Sequence, residues 1–182
     1  TLGVLWYAVL KQDAVVQQNY AALIQGALKQ DLDQLIYLNN GHSYWDESYE
    51  HLLPKVDVDW ASGKLGYDLL KKHKLSEIVV LNKRLLDVYS AQSTPLLEDS
   101  LFENRVSELS IVNEIAYLIE KAKIRQPETA TSGGYITYRN ELYMISVGAI
   151  YPDSYEISDK EETSNINKGN QTGFLIFLKK VD

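Results

Sequence analysis

The chain has 182 residues, of which 45% are hydrophobic and 24% charged, with a formal net charge of −7 and a pI near 5.0. That length suits one globular domain, or one with a small subdomain. No basic cluster of the kind that holds phosphate backbones occurs, which argues against nucleic-acid binding, and the lack of cysteine excludes disulfide frameworks, thiol catalysis and cysteine-ligated zinc.

The first ten residues are nearly all apolar, and polar residues begin at Lys11. Ten residues are too few to span a bilayer, which takes roughly 20, and no basic signal-peptide start is present. The run reads either as a helix end packed in the core or as the outer end of a membrane helix. The Trp6-Tyr7 pair, suited to an interface belt, favours the second. Residues 2–39 read as one long helix. Ala14, Gln17, Ala21, Ile24, Leu28, Asp31, Leu35 and Leu38 recur at steps of three and four, a heptad-like stripe that Leu23, Leu32 and Ile36 widen. A seam serves a dimer, and the wider stripe also covers a core. Asn39-Asn40-Gly41 is the expected C-terminal cap.

Ser43-Tyr44-Trp45-Asp46 has a capping-box shape and predicts a short helix over 44–53, ended by Pro54. Asp57 or Asp59 then caps a third helix to about His73. The period next changes to that of strands. Glu77–Leu81 and Leu85–Ala91 read as a hairpin about Asn82-Lys83-Arg84-Leu85. Ser100-Leu101-Phe102-Glu103 is a second capping box, opening a helix to about Lys123. Tyr135–Tyr138 and Glu141–Ile150 form a hairpin around Arg139-Asn140, residues 151–172 a polar surface loop, and Gly173–Leu178 the last strand. Three strands, Ile78–Leu81, Leu142–Ile150 and Phe174–Leu178, are apolar on both alternate faces, so both faces are covered. The fold class is α+β: a five-stranded, mostly antiparallel sheet, the long helix on one face and shorter helices or loops on the other.

Residues 40–60 stand out. Trp45-Asp46 and Asp59-Trp60 set large rings beside carboxylates, flanked by Tyr44 and Tyr49. That marks either a polar-lined pocket or an anchored structural corner, in which Trp45 and Tyr49 simply share a buried helix face. His42, Asp46, Glu47 and His51 do not match known metal-ligand spacings, so no metal and no cofactor is expected. Gly133-Gly134 is no phosphate loop, because a strand follows and no Lys-Ser/Thr does. The Asn165–Asn170 stretch lacks the acidic spacing of a calcium loop. Asn170-Gln171-Thr172 fits a glycosylation acceptor, a pattern too common to use. No catalytic constellation is visible. Tyr135, Tyr138 and Tyr143 lie on the central hairpin, where tyrosine can wall a cavity or merely follow strand propensity.

Tyr44–Tyr49, Asp59-Trp60, Leu65, Glu77–Asn82 and Val88–Ser90, with Gly173–Leu178 at the end, resemble the fourth class of CHASE domains, extracytoplasmic sensory domains of bacterial receptors. The chain departs from the family pattern at Gly41 and Ser43, where Asp and Ala are usual, and at the turn Asn82–Leu85. The resemblance implies a Cache-like (PAS-like) module held between two membrane helices. Residues 1–40 would be a membrane-proximal helix through which a homodimer forms, and 41–182 the sensor core, one domain overall. It further implies a non-enzymatic domain binding a small molecule near Trp45, Asp46, Tyr49 and Trp60, with Tyr138 or Tyr143 on the sheet. The output, a cyclic-di-GMP enzyme or a histidine kinase, would lie in the cytoplasm. The competing expectations are a ligand-independent dimerisation or partner-protein module and, more distantly, an acid–base hydrolase.

Overall fold

The computed structural model describes residues 2–53, 55–93, 109–123, 129–138, 140–151 and 173–181. Helix α1 spans Leu2–Ser43, α2 Asp46–Leu52, α3 Val58–Lys64, α4 Tyr67–His73 and α5 Leu109–Lys123. The strands are β1 Glu77–Asn82, β2 Asp87–Gln92, β3 Thr131–Tyr138, β4 Glu141–Ala149 and β5 Gly173–Lys180. They form one sheet in the order β2-β1-β5-β4-β3, with every pairing antiparallel. The α+β class and the count of five strands are therefore as the sequence predicts, although β3 begins at Thr131, four residues before the predicted Tyr135.

The three doubly apolar strands are buried along nearly their whole length. Alternation along β5 shows why. Phe174, Ile176 and Leu178 enter a cluster with Ile115, Leu118 and Ile119 of α5. Leu175 and Phe177 enter the opposite cluster with Leu35 of α1, Leu52 of α2, Ala61 of α3 and Leu70 of α4. The layering thus differs from expectation: α2–α4 share the face of α1, and α5 covers the other face.

Helix α1 does not stop at Asn39-Asn40-Gly41. The two asparagines use their side chains on the sheet instead of on a cap. Asn39 Nδ2 donates to the carbonyls of Ser146 (2.9 Å) and Leu175 (3.0 Å), and Thr131 Oγ1 donates to Asn40 Oδ1 (2.8 Å). The helix then continues to Ser43, so the capping box at Ser43–Asp46 is not formed: Trp45 is the N-cap of α2 and no side chain bonds there. Close approach of α1 to β4 requires glycine at position 148, where a Cβ would lie 2.4 Å from both Asn39 Oδ1 and Ser43 Oγ. On the opposite face, Ser132 Oγ donates to the Leu118 carbonyl (2.6 Å) and fixes α5.

The predicted third helix is two helices. Gly66 approaches the Ser62 carbonyl so closely that a Cβ would lie 2.0 Å from its oxygen, and the chain re-enters as α4. Strand β2 begins two residues later than predicted. Asn82 Oδ1 accepts from the backbone N–H groups of Arg84 (2.8 Å) and Leu86 (3.1 Å), and Leu85 takes a left-handed φ of 60°, which lengthens the turn. The box at Ser100, the start of the helix it opens, Arg139, the acceptor at Asn170 and the loop 152–172 lie outside the described residues.

Candidate functional site

Between the end of α1 and the start of β1, the chain builds an aromatic corner. Its anchor is a parallel bridge between Tyr44 and Tyr151, just past β4: Tyr151 N donates to Ser43 O (3.0 Å) and Trp45 N to Tyr151 O (3.1 Å). With its backbone extended, Trp45 turns the chain into α2. Four rings then form a row. His42 meets Trp45 edge-on at 6.3 Å, Trp45 meets Trp60 at 5.7 Å and 45°, and Trp60 stacks on His51 at 4.9 Å and 6°. At the other end, His42 also touches Phe177 of the sheet, 5.9 Å between centroids.

Polar groups lock this row from outside. The indole N–H of Trp60 donates to Glu47 Oε2 (3.3 Å), and Lys64 Nζ stands 4.0 Å from the same oxygen and 5.5 Å over the Trp45 ring. Asp57 caps α3 by accepting from the Trp60 backbone N–H (3.0 Å), and its other oxygen lies 3.1 Å from His51 Nδ1. The Trp60 N–H, followed by the His51 bond, holds the Asp57 carboxyl below its ordinary range.

Of the six residues singled out in the sequence, four come together here. Trp45 and Trp60 touch, Asp46 opens α2, and Tyr49 packs half-buried on the α1–α4 core. Tyr138 and Tyr143 do not join them. Both are buried in the α5 cluster, so the sheet lies between them and Trp45. Tyr143 donates its hydroxyl to Glu141 Oε2 (2.9 Å), and Lys180 binds the other Glu141 oxygen. These two bonds, Lys180 first, keep the Glu141 carboxyl below its ordinary range.

Beside the corner opens a cleft of about 640 Å³. Asp31, Leu35, Leu38 and His42 of α1 form one wall, the His73–Leu75 segment at the end of α4 faces them, and Lys179 of β5 closes the end. Tyr37 stands 83% exposed at its rim. His42 is thus the ring shared by the cleft and the aromatic row. Burial lowers its pKa, and nearby His73 and Lys72 lower it further. His73 is lowered by burial, then by Lys72 and Lys179. Sequence reasoning weighed His42 only as a metal ligand and missed the cleft. Its one linear signal is Lys71-Lys72-His73-Lys74 at a helix end, where cations are already expected to offset the helix dipole.

Among the described residues no three His, Asp or Glu side chains converge as a metal-ligating group, and no helix is long and apolar enough to cross a membrane. No curated protein matches the chain. The family model of the CHASE4 domain matches residues 27–182, which takes in the whole sheet, the corner, the cleft and α1 from Ala27 onward, and the chain belongs to this family of extracellular sensory domains.

Proposed function

We propose that the domain senses a small molecule outside the cytoplasmic membrane and passes a displacement of α1 to a cytoplasmic output domain, a cyclic-di-GMP enzyme or a histidine kinase. The observation that carries this reading is the position of the α1–α4 cleft. Its long wall is the stretch of α1 that Asn39 bonds to β4 and β5, and His42 joins it to the Trp45 corner. A ligand there touches the moving helix, the sheet end and the corner together. Binding shifts the helix only if the two arrangements differ in affinity for the ligand; going from 1:99 to 99:1 takes about 5.5 kcal/mol of difference.

The same reading makes α1 the membrane-proximal, dimerising element. Val16, Tyr20, Leu23 and Ile24 are exposed apolar residues at helical spacing, and a second copy of this chain is the partner that would cover them. Trp45, Asp46, Tyr49 and Trp60 then belong to the corner beside the cleft, which feels a ligand through the His42–Trp45 contact, whereas Tyr138 and Tyr143 stabilise the opposite layer.

One observation favours a second reading, a ligand-independent dimerisation or partner-binding module. The rings of Trp45 and Trp60 are already filled by each other, His51 and Lys64. A thermal-shift screen against amino acids, carboxylates, polyamines and sugars separates the two. Saturation at about 100 times the dissociation constant adds about 2.7 kcal/mol of stability. A stabilising compound whose effect is lost in Trp45→Ala supports sensing. No stabilisation by any class, with Trp45→Ala merely less stable, supports the second reading.

A further inference from the structure

The cleft between α1 and α4 carries an unusual charge for a chain of net −7. Lys72, Lys74 and Lys179 line it with His42 and His73, against the single carboxylate of Asp31. None of the three lysines is ion-paired with a described residue. Lys72 and Lys74 come from the C-terminal end of α4 and Lys179 from β5, so the helix end alone does not explain their convergence. Between them the floor is apolar, made by Leu35, Leu38 and Leu75. Converging cations around an apolar floor are complementary to a molecule with a charged end and a carbon body.

We infer that this cleft binds a small organic anion, its carboxylate held by Lys72, Lys74 and Lys179 and its carbon body laid on Leu35, Leu38 and Leu75, an inference that rests on the sensing reading above. The volume of about 640 Å³ lies inside the range of roughly 300–1,000 Å³ typical of small-molecule sites. The imidazoles of His42 and His73 supply ring N–H groups as further donors. The lysines are point charges on flexible stems, which set the sign of the ligand, while the leucine floor sets its body. Inorganic phosphate satisfies the first requirement and not the second.

The test is titration calorimetry of the folded domain with succinate, citrate and benzoate, alongside inorganic phosphate, glucose and putrescine. The variants are Lys72→Gln, Lys179→Gln and, as a control of equal net charge, Lys83→Gln on the exposed β1–β2 turn. The expected result is binding of at least one organic acid, weakened about tenfold by each cleft variant and unchanged in Lys83→Gln. Equal affinity across all variants overturns the inference, as does binding of phosphate alone. Binding of glucose or putrescine alone also overturns it, while leaving the sensing reading intact. No binding by any of the six overturns it too, and the broader screen with Trp45→Ala then decides the sensing reading.

Discussion

The imidazole of His51 lies flat on the indole of Trp60, 4.9 Å between centroids and 6° from parallel, so α2 and α3 are joined ring to ring. Trp60 also touches Trp45 and hydrogen-bonds Glu47. Trp60→Ala therefore removes the contact that orders both short helices. Fully buried Trp or Phe truncations cost about 3–5 kcal/mol, and for this half-buried ring we expect about 2 kcal/mol. In a chain of this size that lowers the melting temperature by about 4–8 °C, read by calorimetry.

Asp57 contributes to the same corner in a pH-dependent way. Its folded pKa lies below the ordinary aspartate value of 3.8, chiefly through the Trp60 backbone N–H. A depressed carboxylate stabilises above the unfolded pKa, and that contribution disappears as pH falls through the folded value. Asp57→Ala should be less stable than the parent at neutral pH, and the gap between their urea midpoints should close under strong acid.

The two cleft histidines work with the same slope at higher pH. Both folded pKa values lie below 6.5, because burial and neighbouring cations disfavour the imidazolium. The charged groups facing them are Asp31 on α1, Lys72 on α4, Lys74 just beyond it and Lys179 on β5. The unfolded chain binds more protons across this window, so stability is complete above 6.5 and falls as the solution is acidified towards the folded values. Urea midpoints from about pH 8 to about pH 5 should show the decline, and His42→Gln/His73→Gln should flatten it.

Helix α1 meets the sheet where side-chain volume is forbidden. Gly148→Ala places a methyl against Asn39 and Ser43 and should destabilise by about 1–3 kcal/mol. Asn39→Ala strips a donor from two buried carbonyls and should cost about 1–3 kcal/mol. Because the two sites touch, the double variant should lose less than the sum, which denaturant midpoints will show.

The dimer reading has its own test. Leu23→Glu/Ile24→Glu puts charge on the exposed apolar stripe of α1, away from the core. Sedimentation equilibrium should show the parent as a dimer and the variant as a monomer, with the circular dichroism of the core retained.

The central strands were legible because Ile78–Leu81 and Phe174–Leu178 are continuous apolar runs that only a doubly covered sheet explains. The end of α1 was not, because Asn39 and Asn40 resemble a cap and instead bond to strands more than ninety residues away. The faces of Tyr138 and Tyr143 depend on strand register, where one residue of slip reverses every side chain. The Trp45–Trp60 pairing was half visible, as the dipeptides Trp45-Asp46 and Asp59-Trp60 without the geometry that joins them. The cleft was hidden for a simpler reason: its cations arise at positions 72–74 and 179, and only the sheet brings them beside α1.

The anchoring of α1 has a mechanical consequence. Its bonds to the sheet run from the Leu28 carbonyl, which accepts from the Tyr135 hydroxyl, to Ser43. At 1.5 Å per residue, Leu2–Ala27 forms an arm of about 38 Å beyond that clamp. An arm so long magnifies rotation rather than sliding. A tilt of about 5° at the Leu28 clamp sweeps the far end of this arm through about 3 Å, so on the sensing reading a small rotation around a bound molecule becomes a displacement the size of a side chain.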